Sequence, residues 1–473
     1  MTERSFLKTQ RPAQLLLLGP LALAGGLLCG YVVVQNGFAM GLVLLLEALF
    51  VAAVMAHPLV GVLGTVAVIY LLPFGVNPIP FGAFHPTFLD VSLSVTLLSW
   101  SSRLLLRRDQ GLVITPTIMA ALFFLGMATV SLLFGLAWTD SERLRFFLKL
   151  VNSVLLAVTV LNVLRSRRDI LLAARILVLA AGVAAWSALA LYALPATASR
   201  AFLTSLAWLG YPAGGEIIRY IADTTTLRAV GTAVDPNVLG GMLMIALPLV
   251  LSQLLDRRPT LPRALLIVLA GSIGLALLLT YSRSAWLGAA VGVGVLGLLG
   301  YRRVWGLAGL AALALLVLPQ GRAFIQRLLS GFSFADRAAQ MRLGEYQDAL
   351  QVISEYPVFG AGFGVPPEID LYVAASSIYL LLGEQTGLLG LGAFLLSLAI
   401  FFWEVTRTWG TGGAHELLSI NKGALAGVVG ALCAGLFDHY FMNVQFPHTV
   451  ALLWFFIGLT LAVTRAGESG SSS

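Results

Sequence analysis

The 473-residue chain is poor in charge and in cysteine. Asp, Glu, Lys and Arg together make up 11% of it, against 59% hydrophobic residues. A soluble domain carries roughly 25% charged residues on average, so this composition excludes an ordinary water-soluble globular protein. The two cysteines, Cys29 and Cys433, both fall inside apolar runs, which excludes a disulfide framework and a zinc-ligand spacing. Walker loop, dinucleotide-binding fingerprint, zincin helix and nucleophile elbow are all missing. The lone stretch Gly360-Ala361-Gly362-Phe363-Gly364 reads as a bend. The net charge of +7 does not point to nucleic acid, because the basic residues punctuate the apolar runs instead of clustering.

What the sequence has in abundance is apolar runs of about 20 residues, the length that crosses a bilayer core as a helix. A membrane barrel would alternate apolar and polar residues. The fold class is therefore an all-α polytopic membrane protein. We expect about 14 transmembrane helices, near 15–35, 38–56, 58–76, 88–106, 112–136, 146–164, 171–194, 236–255, 264–281, 284–300, 304–319, 376–403, 421–438 and 447–464. The basic N-terminal stretch precedes a run without a small-residue cleavage site, so that run reads as a retained first span.

Charge orients these spans. With the N-terminus inside, the cytoplasmic loops hold Arg103, Arg107 and Arg108, then Arg165, Arg167 and Arg168, then Arg257, Arg258 and Arg263. Arg302 and Arg303, Arg407 and Lys422, and finally Arg465 follow on the same side. This satisfies the positive-inside rule and puts both termini in the cytoplasm. The chain then divides into N-terminal spans (1–195), a first outer loop (196–235), central spans (236–319), a large outer loop (320–375), C-terminal spans (376–465) and a disordered tail (466–473).

The large outer loop contains an amphipathic helix. Ala339, Leu343, Tyr346, Leu350 and Ile353 recur at helical spacing, with Arg342, Glu345 and Asp348 off that stripe. Pro357 ends it. Several other polar motifs interrupt the apolar pattern. Asp235-Pro236-Asn237 is a helix start; with Arg228 close by it is also a ready anion site. Arg283, in Tyr281-Ser282-Arg283-Ser284, either snorkels to lipid headgroups or turns inward to an anion. Arg342 and Glu345, three apart, either pair with each other or serve a ligand. Glu384 lies several residues into a span, where a carboxylate needs a partner or a function. Asp438-His439 is either a general-base pair or an interfacial polar cluster.

Taken in order, these motifs resemble the O-antigen ligase/O-antigen polymerase family of bacterial envelope glycosyltransferases. Asp235-Pro236-Asn237 is similar to the family's start of a middle span, and Ser282-Arg283-Ser284 to its "SR-small" motif. Arg342, Ala349 and Pro357-Val358-Phe359-Gly360-Ala361-Gly362 resemble its loop motif. Tyr379-Leu380, Glu384 and Gly387-Leu388-Leu389-Gly390 resemble its following span. The similarity runs from about 225 to 460. It implies a lipid-diphosphate-linked (undecaprenyl-type) oligosaccharide donor, in contact with membrane lipids and used at the periplasmic face of the inner membrane. It also implies inverting, metal-independent chemistry without a cofactor, and a chain-length regulator as a further partner of a polymerase.

On that resemblance Arg228, Arg283 and Arg342 hold the diphosphate, since cations must balance the leaving group. Asp235, Asn237, Glu345 and Tyr379 make other substrate contacts. The general-base candidates are His439, Asp438 and Glu384, in that order. Ligases typically carry His-Asn where this chain has Ser376-Ser377, which favours a polymerase or a ligase acting on another acceptor. A small-anion transporter, with broken helices at the midplane, and a non-catalytic scaffold of an envelope assembly are the competing classes.

Overall fold

The structure is a computed structural model that describes residues 38–72, 86–106, 111–212, 217–221, 224–317, 324–325, 337–364, 375–407 and 415–471. It is helical, with no strand among the described residues. The helices, in order, are α1 (Phe38–Ala56), α2 (Pro58–Leu71), α3 (Phe88–Leu106), α4 (Pro116–Phe134), α5 (Ser141–Val163), α6 (Arg167–Ala193) and α7 (Ala196–Ser205). They continue as α8 (Pro236–Leu255), α9 (Arg263–Leu279), α10 (Arg283–Leu298), α11 (Arg303–Val317), α12 (Arg337–Glu355), α13 (Ile378–Arg407), α14 (His415–Ala434) and α15 (Pro447–Ser471).

Every expected span from 38–56 onward has a helix at its place. The first, 15–35, lies outside the described residues. Among those residues, 8 helices are long and apolar enough to cross a membrane. The others are shorter, such as α2 with 14 residues, or more polar, such as α3 with Asp90 and Arg103. The segment expected as the first outer loop, 196–235, contains α7 and a 3₁₀ turn at Ala207–Leu209.

Local chemistry sets the helix starts. Pro opens α2, α4, α8 and α15, where its missing N–H costs nothing. Thr115 caps α4, Asp140 caps α5, and Ser166 with Asp169 forms a capping box on α6.

The centre of the bundle is α8, α14 and α15, the most buried of the long spans. Apolar side chains cannot drive helices together inside lipid, so close packing must. Small residues supply it. Gly288 of α10 packs against α14 so tightly that a Cβ there would stand 2.7 Å from the Gly430 carbonyl. At the opposite edge α1 exposes Phe38, Leu45, Leu46 and Leu49, a face suited to lipid.

Helix α13 is not continuous. Gly387 has φ 64° and ψ −173°, outside helical geometry. A break in a lipid-level helix leaves backbone groups without partners. Here the Pro357–Gly362 loop supplies them. Leu388 N–H donates to Pro357 O (2.8 Å) and Leu389 N–H to Val358 O (3.3 Å). In return Ala361 N–H donates to Glu384 O (2.8 Å) and Gly362 N–H to Gln385 O (3.1 Å).

Candidate functional site

The turn between α14 and α15 gathers the polar residues. Asp438, 6% exposed, lies just beyond the end of α14. Its Oδ2 accepts from Arg342 Nη2 at 3.2 Å and from the Ser284 hydroxyl at 3.1 Å. Its Oδ1 accepts the backbone N–H of His439 at 3.0 Å. One carboxylate thus ties the loop helix α12 to the first turn of α10.

The start of α8 forms the second side. Asp235 accepts from the N–H groups of Asn237 (2.7 Å) and Val238 (3.3 Å), the expected cap. Arg228 Nη2 donates to Asn237 Oδ1 at 2.7 Å, and its Nε donates to Thr280 O, at the end of α9, at 2.7 Å. Burial pushes the Asp235 carboxyl above the usual carboxylate range, against the Asn237 N–H and Arg228. Asp438 adds to the push, which makes Asp235 and Asp438 electrostatic neighbours. Arg283 opens α10 beside Ser284 and is half-buried.

The third side is α12 against the start of α13. Glu345 accepts from the Ser376 hydroxyl and from Ser376 N–H, the latter at 3.2 Å. Tyr346 OH reaches Ser376 O (3.2 Å) and Leu436 O (3.1 Å). Ile378 N–H donates to Gly435 O at 2.8 Å, joining α13 to the same turn. Burial raises the Tyr346 hydroxyl, against the pull of Arg342, so it stays protonated as a donor.

These contacts correct two readings. Arg342 and Glu345 do not pair with each other: Arg342 goes to Asp438 and Glu345 to Ser376. The buried face of α12 is also not the apolar stripe. Leu343 and Leu350 are 48% and 57% exposed, while Ala349 and Val352 are buried. The polar contacts of Arg342, Glu345 and Tyr346 rotate the helix onto the face that continues through Ala349 and Val352.

Glu384 sits one turn before the break in α13 and is buried. The Ala375 N–H bonds to it, and its charged neighbours are Asp348 and Glu345. It has no cationic partner among the described residues. The Tyr379 hydroxyl donates to Leu432 O at 2.9 Å, holding α13 to α14. His439 is half-buried, and its Nδ1 has no hydrogen-bond partner among the described residues. Nor does any group of His, Cys, Asp and Glu among them suit a metal ion.

Sequence reasoning passed over three residues of this cluster. Ser284 was legible only as the neighbour of Arg283. Tyr346 looked like part of an apolar stripe. Ser376 was noticed as a departure from the ligases, not as a partner of Glu345.

The helix starts matter as much as the side chains. α8, α10 and α13 all begin at this cluster, and helix N-termini carry partial positive charge. With Arg228 and Arg342 the place suits an anion with several oxygens.

Residues 264–395 match the Wzy_C family, described as O-antigen ligase. Over that segment the chain is similar to O-antigen ligases. The matched segment contains Arg283, Ser284, Arg342, Glu345, Ser376 and Glu384, and ends before Asp438. No curated protein matches the chain.

Proposed function

We propose that the chain is a membrane glycosyltransferase that polymerises lipid-diphosphate-linked oligosaccharide repeats of O-antigen or a related surface polysaccharide. The observation that carries this reading is the meeting of Arg342 with Asp438 and Ser284 where α8, α10 and α13 begin. The topology that goes with it has about 14 spans, both termini in the cytoplasm, and this cluster at the periplasmic face of the inner membrane.

The reaction is a single displacement. An acceptor hydroxyl attacks the anomeric carbon opposite the diphosphate, the carbon–oxygen bond to the diphosphate breaks, and configuration inverts. Charge accumulates on the departing diphosphate. Arg228, Arg283 and Arg342, with the helix N-termini, stabilise it, because preorganised cations act where charge develops. The hydroxyl proton goes to a base. His439 is the first candidate, since its Nδ1 is uncommitted among the described residues. Asp438 is the second and can accept a proton once a phosphate draws Arg342 away. Glu384 is the third.

The second reading is a ligase, supported by the name of the matched family. Ser376-Ser377 in place of the ligases' His-Asn weighs against it. The transporter reading gains a broken helix at Gly387. It loses the argument that follows, because the loop at Pro357–Gly362 occupies the freed backbone groups, leaving none of those bonds for an ion.

Complementation tests the choice. Matched strains lacking their polymerase or their ligase receive wild-type protein or Arg342→Ala, and glycan ladders are read on a gel. A ladder restored in the polymerase-null strain and lost with Arg342→Ala is the expected result. Single-repeat attachment in the ligase-null strain would establish the ligase reading instead. Full synthesis with Arg228, Arg283 and Arg342 all changed to Ala would favour a scaffold. Silence in both strains with anion flux in proteoliposomes would favour transport.

A further inference from the structure

The candidate site uses the polar residues of α12 and leaves its apolar ones without a role. Arg342, Glu345 and Tyr346 turn the helix onto Ala349 and Val352, so Leu343 and Leu350 come out exposed. These two leucines are seven positions apart. That spacing puts them on one face, two turns and about 10 Å from each other. Apolar surface left open on a helix is unfavourable in water and marks a surface that something covers.

The points where α12 is tied to the bundle say what covers it. At its C-terminal end the chain enters the break in α13, where Leu388 and Leu389 donate their N–H groups to Pro357 O and Val358 O. α13 is one of the helices long and apolar enough to cross a membrane. Leu388, Leu389 and Val358 are all exposed there. The next residue, Phe359, stacks on Phe134 with ring centroids 4.9 Å apart. Phe134 is the last residue of α4, another helix of spanning length, and is exposed as well. In the first half of α12 the Tyr346 hydroxyl donates to Leu436 O, just past the end of α14, and Leu436 is also exposed. Open apolar side chains on spanning helices meet lipid. Both attachments of α12 are therefore to places where the chain already turns apolar surface to the bilayer.

We infer that α12 lies in the boundary between lipid headgroups and acyl chains, with Leu343 and Leu350 against lipid. Interfacial helices are built this way: an apolar face sinks roughly 5–10 Å into the boundary, and the polar face is turned away from it. In α12 the polar face, with Arg342 and Glu345, is turned onto the ends of α13 and α14. One consequence rests on the glycosyltransferase reading. Arg342 adjoins Leu343 and so stands at the depth of lipid phosphates, where a lipid-linked diphosphate presents its charge. The seat of α12 itself does not rest on that reading.

Depth quenching of the full chain in lipid nanodiscs tests it without any measurement of catalysis. A background of Cys29→Ser with Cys433→Ser carries a bimane label at Leu343→Cys or at Leu350→Cys. Leu396→Cys, exposed midway along α13, is the lipid marker. Both α12 labels are expected to be quenched by acyl-brominated phosphatidylcholine and shielded from aqueous iodide, with blue-shifted emission. Iodide quenching at both positions without lipid quenching overturns the inference, because the face is then open to water. Lipid quenching at one position alone also overturns it, since α12 would then stand upright. Protection from both quenchers overturns it as well, by showing that a second copy or another segment of protein covers the face. If the background fails to fold, benzoylphenylalanine in place of Leu343 or Leu350 in the otherwise unchanged chain decides. Photo-adducts with phospholipid uphold the inference, and cross-links to protein overturn it. A failure of glycan synthesis leaves these readouts untouched, so the two readings fail separately.

Discussion

Gly360 and Gly387 meet backbone to backbone: a Cβ built on either would come within 2.5 Å of the other's amide nitrogen. Both have positive φ, 69° and 64°. This contact seats the α12–α13 loop in the break of α13, and with it the start of α13 and Ser376. Gly387→Ala has no relief, because the obstructing atoms are backbone and the φ is unfavourable for a side chain, by ~1–2 kcal/mol alone. We expect it to lower the unfolding free energy by at least ~2 kcal/mol in detergent. Gly392→Ala on the same helix meets nothing within 4 Å and serves as the control. A thermal-unfolding comparison of the two checks this; equal midpoints would show the seat to be unimportant.

Arg342 and Asp438 are the next test. Arg342→Ala is expected to reduce glycan extension by roughly 10²–10³-fold, the range for losing one preorganised group that stabilises developing charge. Asp438→Asn keeps a hydrogen-bond acceptor for Ser284 and loses the ion pair. Its expected loss is smaller if Asp438 only positions Arg342. The double variant should then be no worse than Arg342→Ala alone, because the two act as a unit. Initial rates with purified donor measure it. Fully additive losses would mean that Asp438 contacts the reacting atoms independently.

The sequence made the helices legible but not the contacts between them. Asp235-Pro236 fixes the start of α8 because cap and N1 residue both act locally. Pro357 likewise marks the chain's exit from α12. The break at Gly387 was hidden, since Gly-Leu-Leu-Gly is ordinary in a membrane span and the cause is a loop some thirty residues earlier. The pairing of Arg342 with Asp438 spans 96 positions, and no periodicity carries information across that distance. Neighbour spacing suggested Glu345 instead. The face of α12 was misread for a related reason: Arg342, Glu345 and Tyr346 turn it by polar contacts, so its buried apolar positions are Ala349 and Val352, not Leu343 and Leu350.

Asp235 carries a pH prediction. Burial raises its carboxyl in the folded state above an unfolded value of about 3.9. A raised acid binds its proton more tightly when folded. Its contribution to stability is therefore full below about pH 3.9 and is lost as pH rises through the upward-shifted folded value. Asp235→Asn keeps a capping oxygen for Asn237 and Val238 but cannot titrate. Its stability should thus vary less with pH above about 4 than that of wild type. Chemical denaturation at several pH values reads the difference. An unchanged slope would mean that Arg228 offsets the burial of the Asp235 charge.

Glu404 separates stability from chemistry. It is buried near the far end of α13 from the candidate site, 6% exposed. Its Oε2 accepts the Thr117 hydroxyl at 2.7 Å and the Thr117 N–H at 3.1 Å, in the first turn of α4. A carboxylate there satisfies a free helix N–H and meets the positive end of the helix. Glu404→Ala leaves two buried donors without an acceptor and should cost about 1–3 kcal/mol. Glu404→Gln retains an acceptor oxygen and should cost less. Neither residue change touches Asp438 or Arg342, so the rate per folded molecule should match wild type in both. Unfolding midpoints and rates on the same preparations check this together. A loss of rate in folded Glu404→Gln would mean that the α4–α13 contact is transmitted through the break at Gly387 to the start of α13.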